Sequence, residues 1–435
     1  MIDPKSVHST LQSAQLVDGY PLVLDLEKSK GIYMHDSRTG NDYLDLFTSF
    51  ASWPVGYDHP MMADEAFLKD LMIAARNKVA NSDIYTTQMA DFVQAFSTRV
   101  TPDEYTNHFW VSGGGLAVEN ALKVAFDWKA HKVGVAKVEG GHSMVALHFK
   151  GAFHGRTGYT MSLTNTDPNK VALFPKFDWP RVSTPAVEFD TDGKICNDVA
   201  ALEATSLAEI DAAFAKYKDR IACIIIEPLQ GEGGDNHFRT EFLQALRTVC
   251  DEREALLIFD EVQTGFFGSG KAWLWQHHAV APDIVAFGKK TQVCGIYANN
   301  RVKDVPENVF DKSSRINSTW GGNLVDMVRC KRFIEIIETE KLAENITARG
   351  AELVQGLRGI AKESAKISNV RGLGSLVAFT LDSPATRDKM LSDLFDKQVM
   401  ALSSGAAAIR FRLPLVIDSA GIATALERIN DCLPG

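Results

Sequence analysis

Several features that would place a protein in a secreted, metal-binding or membrane class are missing from this 435-residue sequence. Its six cysteines include no C-x-x-C pair, which favours reduced core side chains over disulfides or a zinc site. The N-terminus has no basic start followed by an apolar run, so no signal peptide is predicted. No uninterrupted apolar segment approaches the roughly 20 residues that span a bilayer. We therefore expect a cytoplasmic protein with no membrane contact and no metal site.

An excess of positive charge is missing as well. The 46 Lys and Arg residues against 55 Asp and Glu residues give a formal net charge of −9. This balance argues against nucleic acid or an anionic membrane as a partner. Small anionic ligands remain compatible, because a few well-placed arginines are enough to bind them. With 45% hydrophobic and 23% charged residues, the composition is that of an ordinary globular protein, and the length predicts about two or three domains.

The distribution of apolar segments predicts three regions. Residues 1–60 contain short alternating runs separated by turn residues, which indicate a small β-meander, and we expect this segment to pack with the C-terminal domain. Residues 61–320 alternate helical patterns with short strands that are nearly all apolar, such as 221–228. Such strands are buried on both faces, which predicts a large, doubly wound α/β domain. Residues 321–435 mix helices with a few strands and predict a smaller α+β domain.

Two adjacent lysines, Lys289 and Lys290, end the apolar run PDIVAFGKK. Burial of an ammonium is costly unless its pKa falls, and a lowered pKa is what a Schiff-base lysine requires. A lysine at a strand end can instead extend to solvent. The segment alone leaves both interpretations open.

A carboxylate, Asp260, stands where the apolar run ALLIFD ends. Ligands of open α/β sheets bind beyond the carboxyl ends of the strands, and a carboxylate there can pair with a protonated ring nitrogen. The alternative is an Asp that caps the following turn. Three glycines before a helical pattern, Gly113 to Gly115, are compatible with a phosphate cradle, although glycine-rich turns open many helices.

Four further segments carry candidate ligand groups. Phe153 and His154 offer ring faces for stacking, and Arg156 offers a fork for a carboxylate. Two arginines alternate with apolar residues in IRFR, so Arg410 and Arg412 are expected on one face of a strand; a solvated strand face would show the same alternation. Glu232 lies in a glycine-rich loop, and Thr319 follows a polar segment as a hydroxyl donor.

The order of these segments is more specific than any one of them. The sequence resembles the class III (ω-)aminotransferases from near residue 20 to its C-terminus, through SGGGLAVENALK, AFHGR, EPLQGEGG, FDEVQTG, FGKK, NSTWGGN and IRFR. The longer runs GAFHGRTGYTMSLTNTDPNKVALFPKFDWPR and DIVAFGKKTQVCG resemble the lysine ε-aminotransferase branch. The resemblance implies fold type I of the pyridoxal-phosphate (PLP)-dependent transferases, a large, mostly parallel sheet domain with a smaller α+β domain, and a homodimer with active sites at the interface.

The resemblance also implies roles for residues around PLP. Lys289 would bind the cofactor covalently and shuttle a proton, and Asp260 would pair with the pyridine nitrogen. Gln263 would contact the phenolic oxygen and the substrate, and Phe153 would stack on the ring. The phosphate would be held by Gly114, Gly115 and Thr319 of the partner subunit.

The implied reaction transfers the ε-amine of L-lysine to 2-oxoglutarate. The products would be L-glutamate and L-2-aminoadipate 6-semialdehyde, which cyclises to a piperideine carboxylate. Arg156 would bind the remote carboxylate of either substrate, and Arg410 the carboxylate next to the keto carbon of 2-oxoglutarate. Glu232 would pair with Arg410 when lysine is bound, and Asn317 would line the lysine end of the pocket.

Three alternatives remain open. Another ω-aminotransferase, for ornithine, 4-aminobutyrate or diaminobutyrate, would keep every cofactor residue. A PLP aminomutase or racemase would not need the Glu232–Arg410 pair, and a non-catalytic binding protein would lose Lys289 or Asp260. Residues 49–60 depart from the family wording, and we expect Trp53 and Tyr57 in this segment to shape the pocket entrance.

Overall fold

The computed structural model of the chain describes residues 2–433. Its strands are β1 (Leu24–Lys30), β2 (Tyr33–Asp36), β3 (Asp42–Asp45), β4 (Asn107–Val111), β5 (Val145–Phe149), β6 (Arg181–Val182), β7 (Ile221–Ile226), β8 (Leu256–Asp260), β9 (Ile284–Phe287), β10 (Cys294–Ala298), β11 (Ser368–Leu373), β12 (Leu376–Thr380), β13 (Val399–Met400), β14 (Leu402–Ser404) and β15 (Ala408–Arg412). Its helices are α1 (Val7–Gln12), α2 (Thr48–Ala51), α3 (Glu65–Arg76), α4 (Thr87–Arg99), α5 (Gly114–Val133), α6 (Val135–Glu139), α7 (Gly158–Leu163), α8 (Val199–Tyr217), α9 (Thr240–Glu252), α10 (Leu324–Thr339), α11 (Leu342–Ser364), α12 (Pro384–Asp396) and α13 (Ser419–Asp431).

A seven-stranded sheet forms the centre of the molecule, in the order β4-β10-β9-β8-β7-β5-β6. Every pair from β9 to β6 is parallel, whereas β10 runs antiparallel to both of its neighbours. Successive side chains of β7 enter separate apolar cores, with Ile224 on one face and Ile225 on the other. Burial on both faces explains why β7, with the sequence IACIII, consists of apolar residues. The expected doubly wound, mostly parallel sheet is confirmed.

Helices cover the two faces of this sheet. Helix α5 packs across β7, β9 and β10, while α8 and α9 contact β5, β7 and β8. Residues Ala117, Val118 and Ala121 of α5 are fully buried, and their small side chains allow a close approach to the strands. The start of α5 consequently lies at the edge of the sheet where the parallel strands end.

Two smaller sheets flank the central one. Strands β1, β2 and β3 form an antiparallel meander whose last strand pairs in parallel with β13, near the C-terminus. A second antiparallel sheet has the order β11-β12-β15-β14, and α11 packs on β11 and β12. Helix α10, from the predicted C-terminal domain, contacts α3 and α4 of the predicted large domain. The domain boundaries at residues 60 and 320 therefore stay predictions.

The remaining global features concern cysteines, metals and membranes. All six cysteines are free, and five of them are buried. Within residues 2–433, no group of three or more His, Cys, Asp or Glu side chains is arranged to hold a metal ion. None of the helices in the same residues has the length and apolar character needed to cross a membrane.

Candidate active site

A cavity of about 840 Å³ opens at the carboxyl ends of the parallel strands. Its walls come from the segments that follow β4, β5, β7, β8 and β9, which is where open α/β sheets bind their ligands. Ten of the residues singled out in the sequence line this cavity: Gly113, Gly114, Gly115, Phe153, His154, Arg156, Glu232, Asp260, Gln263 and Lys289.

The two adjacent lysines point in different directions. Lys289 lines the cavity, whereas Lys290 is 2% exposed and its Nζ donates to the carbonyl oxygen of Gln263 at 2.7 Å. Burial, followed by the positive charge of Arg410, lowers the pKa of Lys289 to about 8. Lys289 also has a left-handed backbone, with φ of 54°, which turns the chain at the end of β9. A solvent-exposed lysine is therefore excluded for both positions.

Asp260 uses its two carboxylate oxygens in different ways. Oδ1 accepts the N–H of Val262 at 3.0 Å, which is the turn-capping role. Oδ2 lies 2.7 Å from Nδ1 of His154. Burial disfavours a charged His154, but the hydrogen bond and charge of Asp260 outweigh it and raise the pKa of the imidazole. Asp260 is thereby held in place at the cavity wall by hydrogen bonds to both of its carboxylate oxygens.

A second buried carboxylate, Glu227, was not singled out in the sequence. It accepts the backbone N–H groups of Phe153 at 2.9 Å and Gly231 at 3.1 Å. Burial raises its pKa to about 7, against the opposing charge of His154. Glu227 thus fixes the backbone that carries the Phe153 ring, and it follows β7 just as Asp260 ends β8.

Glycines bring backbone close to the start of α5. At Gly114 a β-carbon would lie 2.8 Å from Cγ1 of Val262, and at Gly155 it would lie 2.7 Å from Cα of Gly115. Gly113 precedes the helix with φ of 118°, a conformation that favours glycine. The first N–H groups of α5 have no partners within the helix and face the cavity end, which suits a bound anion.

The alternation of arginines in β15 does not mark a solvated face. Arg410 and Arg412 are 1% and 0% exposed. Arg410 Nη2 lies 2.6 Å from Oε2 of Glu232, and Arg412 Nη1 lies 3.1 Å from Oδ2 of Asp235. Oε1 of Gln263 accepts from Nη1 of Arg410 at 3.3 Å and from Nη2 of Arg412 at 2.7 Å. The carboxylate of Glu232 therefore separates Arg410 from the cavity that Glu232 itself lines.

Arg156 is free to bind a ligand. It lies at the cavity wall and is exposed, and no residue between 2 and 433 forms an ion pair or hydrogen bond with its guanidinium. An unpaired guanidinium at a cavity wall is the arrangement expected for carboxylate recognition.

Two predicted residues lie outside the cavity of their own chain. Asn317 and Thr319 are both exposed, and the carbonyl oxygen of Thr319 accepts from Oγ of Ser82 at 3.2 Å. Asn317 therefore does not line the pocket within one chain. The prediction for Thr319 involves the partner subunit and stays a prediction.

The expectation for Trp53 and Tyr57 is wrong. Trp53 donates to the Gly56 carbonyl oxygen at 2.8 Å and packs against Phe333, while the hydroxyl of Tyr57 donates to Oδ2 of Asp45 at 3.0 Å. The cavity is instead lined by Ser49, Phe50 and Ser52. Left-handed φ values of 44° to 68° run through α2, and this turn directs its residues toward the cavity. No local sequence signal marks such a turn, because it contains no glycine.

A family model described as aminotransferase class-III matches residues 15–433. The chain belongs to the class-III aminotransferase family. The chain is 49% identical over 434 residues to an L-lysine-epsilon aminotransferase of Mycobacterium tuberculosis, a match that covers 99% of this chain and 96% of that protein. It is 46% identical over 429 residues to the protein of that name from Streptomyces clavuligerus, covering 98% and 93% of the two. A solved lysine aminotransferase from M. tuberculosis, in its internal aldimine form, has a TM-score of 0.95 and 47% identity, covering 100% and 99%.

The expected family and its cofactor are thereby confirmed, because class-III aminotransferases use PLP. The cavity of this class-III aminotransferase fits that group. The glycine-rich start of α5 offers backbone N–H groups to a phosphate, and Asp260 offers a carboxylate group to a ring nitrogen. Lys289 supplies an amine of lowered pKa, and Phe153 supplies a ring at the cavity wall.

Proposed function

We propose that this aminotransferase moves the ε-amine of L-lysine to 2-oxoglutarate and releases L-glutamate and L-2-aminoadipate 6-semialdehyde. The curated relatives that are 46–49% identical over nearly the whole chain bear the name L-lysine-epsilon aminotransferase. The observation that carries the proposal is the pairing of Arg410 with Glu232 beside an unpaired Arg156. An enzyme that alternates between a diamino acid and a dicarboxylate needs one permanent and one conditional cationic site.

Each of the two arginines binds a different substrate carboxylate. Arg156 binds the carboxylate that is remote from the reacting carbon in both substrates. Arg410 binds the second carboxylate of 2-oxoglutarate, for which Glu232 moves aside. With lysine bound, that position faces uncharged methylene groups, and Glu232 keeps the buried guanidinium neutralised, since an unpaired buried charge is costly.

The cofactor residues act around PLP, which supplies an electron sink for the carbon that loses its proton. Asp260, held in place by His154, would pair with the ring nitrogen of the bound cofactor. Lys289 would hold the cofactor, and with a pKa of about 8 its Nζ could accept and return a proton near neutral pH. Gln263, fixed by both arginines of β15, would contact the phenolic oxygen of the cofactor.

The active unit is a cytoplasmic homodimer with its sites at the interface. Large apolar side chains are exposed close to Thr319, among them Ile84 at 64%, Tyr85 at 76% and Trp320 at 43%. Exposed clusters of this kind mark association surfaces. Thr319 of the partner subunit would complete the phosphate site, and Asn317 would reach the pocket in the same way. A protein that sediments as a monomer at the concentration of the activity assay, and is fully active there, would contradict this arrangement.

A spectroscopic experiment tests the substrates. We expect the purified protein to have visible cofactor absorbance that L-lysine bleaches and 2-oxoglutarate restores. If ornithine or 4-aminobutyrate bleaches the band and lysine does not, the substrate assignment is wrong. Absence of a band after addition of PLP would count against the cofactor site.

Arg410→Met separates the two half-reactions. We expect the step with 2-oxoglutarate to lose more than the step with lysine, because only the dicarboxylate uses this guanidinium. Each half-reaction is followed by the same absorbance change in single-turnover mixing. Equal losses in the two steps would contradict the proposed exchange of Glu232 for a substrate carboxylate.

A further inference from the structure

The carboxylate of Glu232 has a second cationic partner. Nζ of Lys170 lies 2.5 Å from Oε1 of Glu232, while Arg410 holds Oε2 at 2.6 Å. Lys170 lines the cavity and lies 5.5 Å from the centre of the Phe153 ring. Each oxygen of the carboxylate therefore has its own cation, one buried in β15 and one at the cavity wall.

The backbone on both sides of this contact is anchored. Lys170 ends the 3-10 turn Pro168–Lys170, in which Oδ1 of Asp167 accepts the N–H of Asn169 at 2.9 Å. The carbonyl oxygen of Glu232 accepts the N–H of Gly405 at 3.0 Å. Movement of Glu232 away from Arg410 is consequently a side-chain rotation around a fixed backbone.

That rotation changes the electrostatic balance of Glu232. In the observed arrangement Arg410 and Lys170 together lower the pKa of Glu232 against the effect of burial. Once a substrate carboxylate occupies Arg410, Glu232 has lost one cation and gained a negatively charged neighbour. Lys170 then becomes its only cationic partner among the contacts seen here, so its contribution is greater in the exchanged state than in the resting state.

We infer that Lys170 is the positioning residue that retains Glu232 when a dicarboxylate displaces it from Arg410. The inference rests on the proposed function, since it assigns a role within the two-arginine pocket. In the structure Nζ of Lys170 contacts the carboxylate of Glu232, and the role assigned to Lys170 acts through that carboxylate. Its effect should therefore fall on dicarboxylates, which require the exchange, and not on monocarboxylates, which bind Arg156 alone.

Binding of unreactive acids to the holoenzyme tests this role without turnover. Glutarate carries the two carboxylates of 2-oxoglutarate without its keto group, and pentanoate carries one. By calorimetry, Lys170→Met should weaken glutarate binding roughly three- to fivefold, the amount that a partly exposed ion pair supplies. Pentanoate binding should not change, and Lys170→Arg should restore glutarate binding.

Two matched variants separate this role from other effects of charge. Lys150→Met removes an exposed lysine whose Nζ contacts Ser183, and it should leave both acids unaffected. On a Glu232→Gln background there is no carboxylate to retain, so Lys170→Met should have no further effect on glutarate.

The outcomes that overturn the inference are distinct from those that overturn the function. Equal weakening of glutarate and pentanoate, or a loss that persists with Glu232→Gln, would mean that Lys170 acts on the ligand directly. Glutarate binding no tighter than pentanoate binding in the unmodified holoenzyme would show that Arg410 receives no carboxylate. That result would overturn the proposed pocket together with the role of Lys170.

Discussion

The lowered pKa of Lys289 gives a quantitative prediction for cofactor capture. Only a neutral amine attacks the aldehyde of PLP, so the capture rate follows the neutral fraction of Lys289. With a pKa of about 8 instead of 10.5, the neutral fraction at pH 7 is about 0.09 instead of about 0.0003, a gain of roughly 300-fold. Burial is the main cause, and the charge of Arg410 adds to it.

The expected pH profile follows from the sign of this shift. Capture by the cofactor-free protein should rise about tenfold per pH unit below pH 8 and level off above it. For a lysine with the ordinary pKa of 10.5, the capture rate would continue to rise beyond pH 10. The rate is measured by stopped-flow absorbance after mixing with PLP, and borohydride reduction followed by peptide mapping identifies the lysine.

Variants of the two adjacent lysines complete this test. Lys289→Ala should abolish covalent capture, whereas Lys290→Met should retain it, because Nζ of Lys290 is engaged with backbone carbonyl oxygens. A rate that still rises at pH 10, or a reduced cofactor attached to Lys290, would refute the reasoning.

Two further predictions concern packing and charge. Gly114→Ala places a β-carbon 2.8 Å from Val262, so PLP affinity should fall about tenfold; a fluorescence titration that finds unchanged affinity would contradict the close approach. Asp235→Ala leaves Arg412 buried without its carboxylate, and the free energy of unfolding should fall by about 3–5 kcal/mol. In denaturant titrations the exposed Asp192→Ala should cause almost no change, and similar losses for both variants would count against a special role for the buried pair.

The local parts of the site were predictable from the sequence. The end of a strand or the start of a helix is the position of Asp260, of Lys289 and of the glycines before α5. Neighbouring residues are enough to predict those boundaries. The topology of a parallel sheet then brings the strand ends together. Short sequence patterns were therefore enough to predict which residues form most of the cavity wall at the strand ends.

Contacts between distant segments were not predictable in the same way. Lys170 and Glu232 are 62 positions apart, and Asp235 and Arg412 are 177 apart. The residues next to a loop lysine or a strand arginine do not show what packs against its side chain. Each side chain could therefore be exposed to solvent as far as the local sequence indicates. The left-handed turn at residues 48–51 was missed for a related reason: contacts such as the one from Thr48 to the carbonyl oxygen of Arg412, at 3.1 Å, hold a conformation that its own residues do not favour.

The sequence by itself determined the parallel sheet, the order of the strand-end residues and the family to which the chain belongs, because apolar periodicity and short motifs are properties of neighbouring residues. Only the tertiary structure decided that Lys290 is engaged with backbone carbonyl oxygens and that Arg410 is buried behind Glu232. It also decided that Lys170 shares that carboxylate. These features depend on burial and on charge pairs across different elements, and such interactions exist only after the chain has folded.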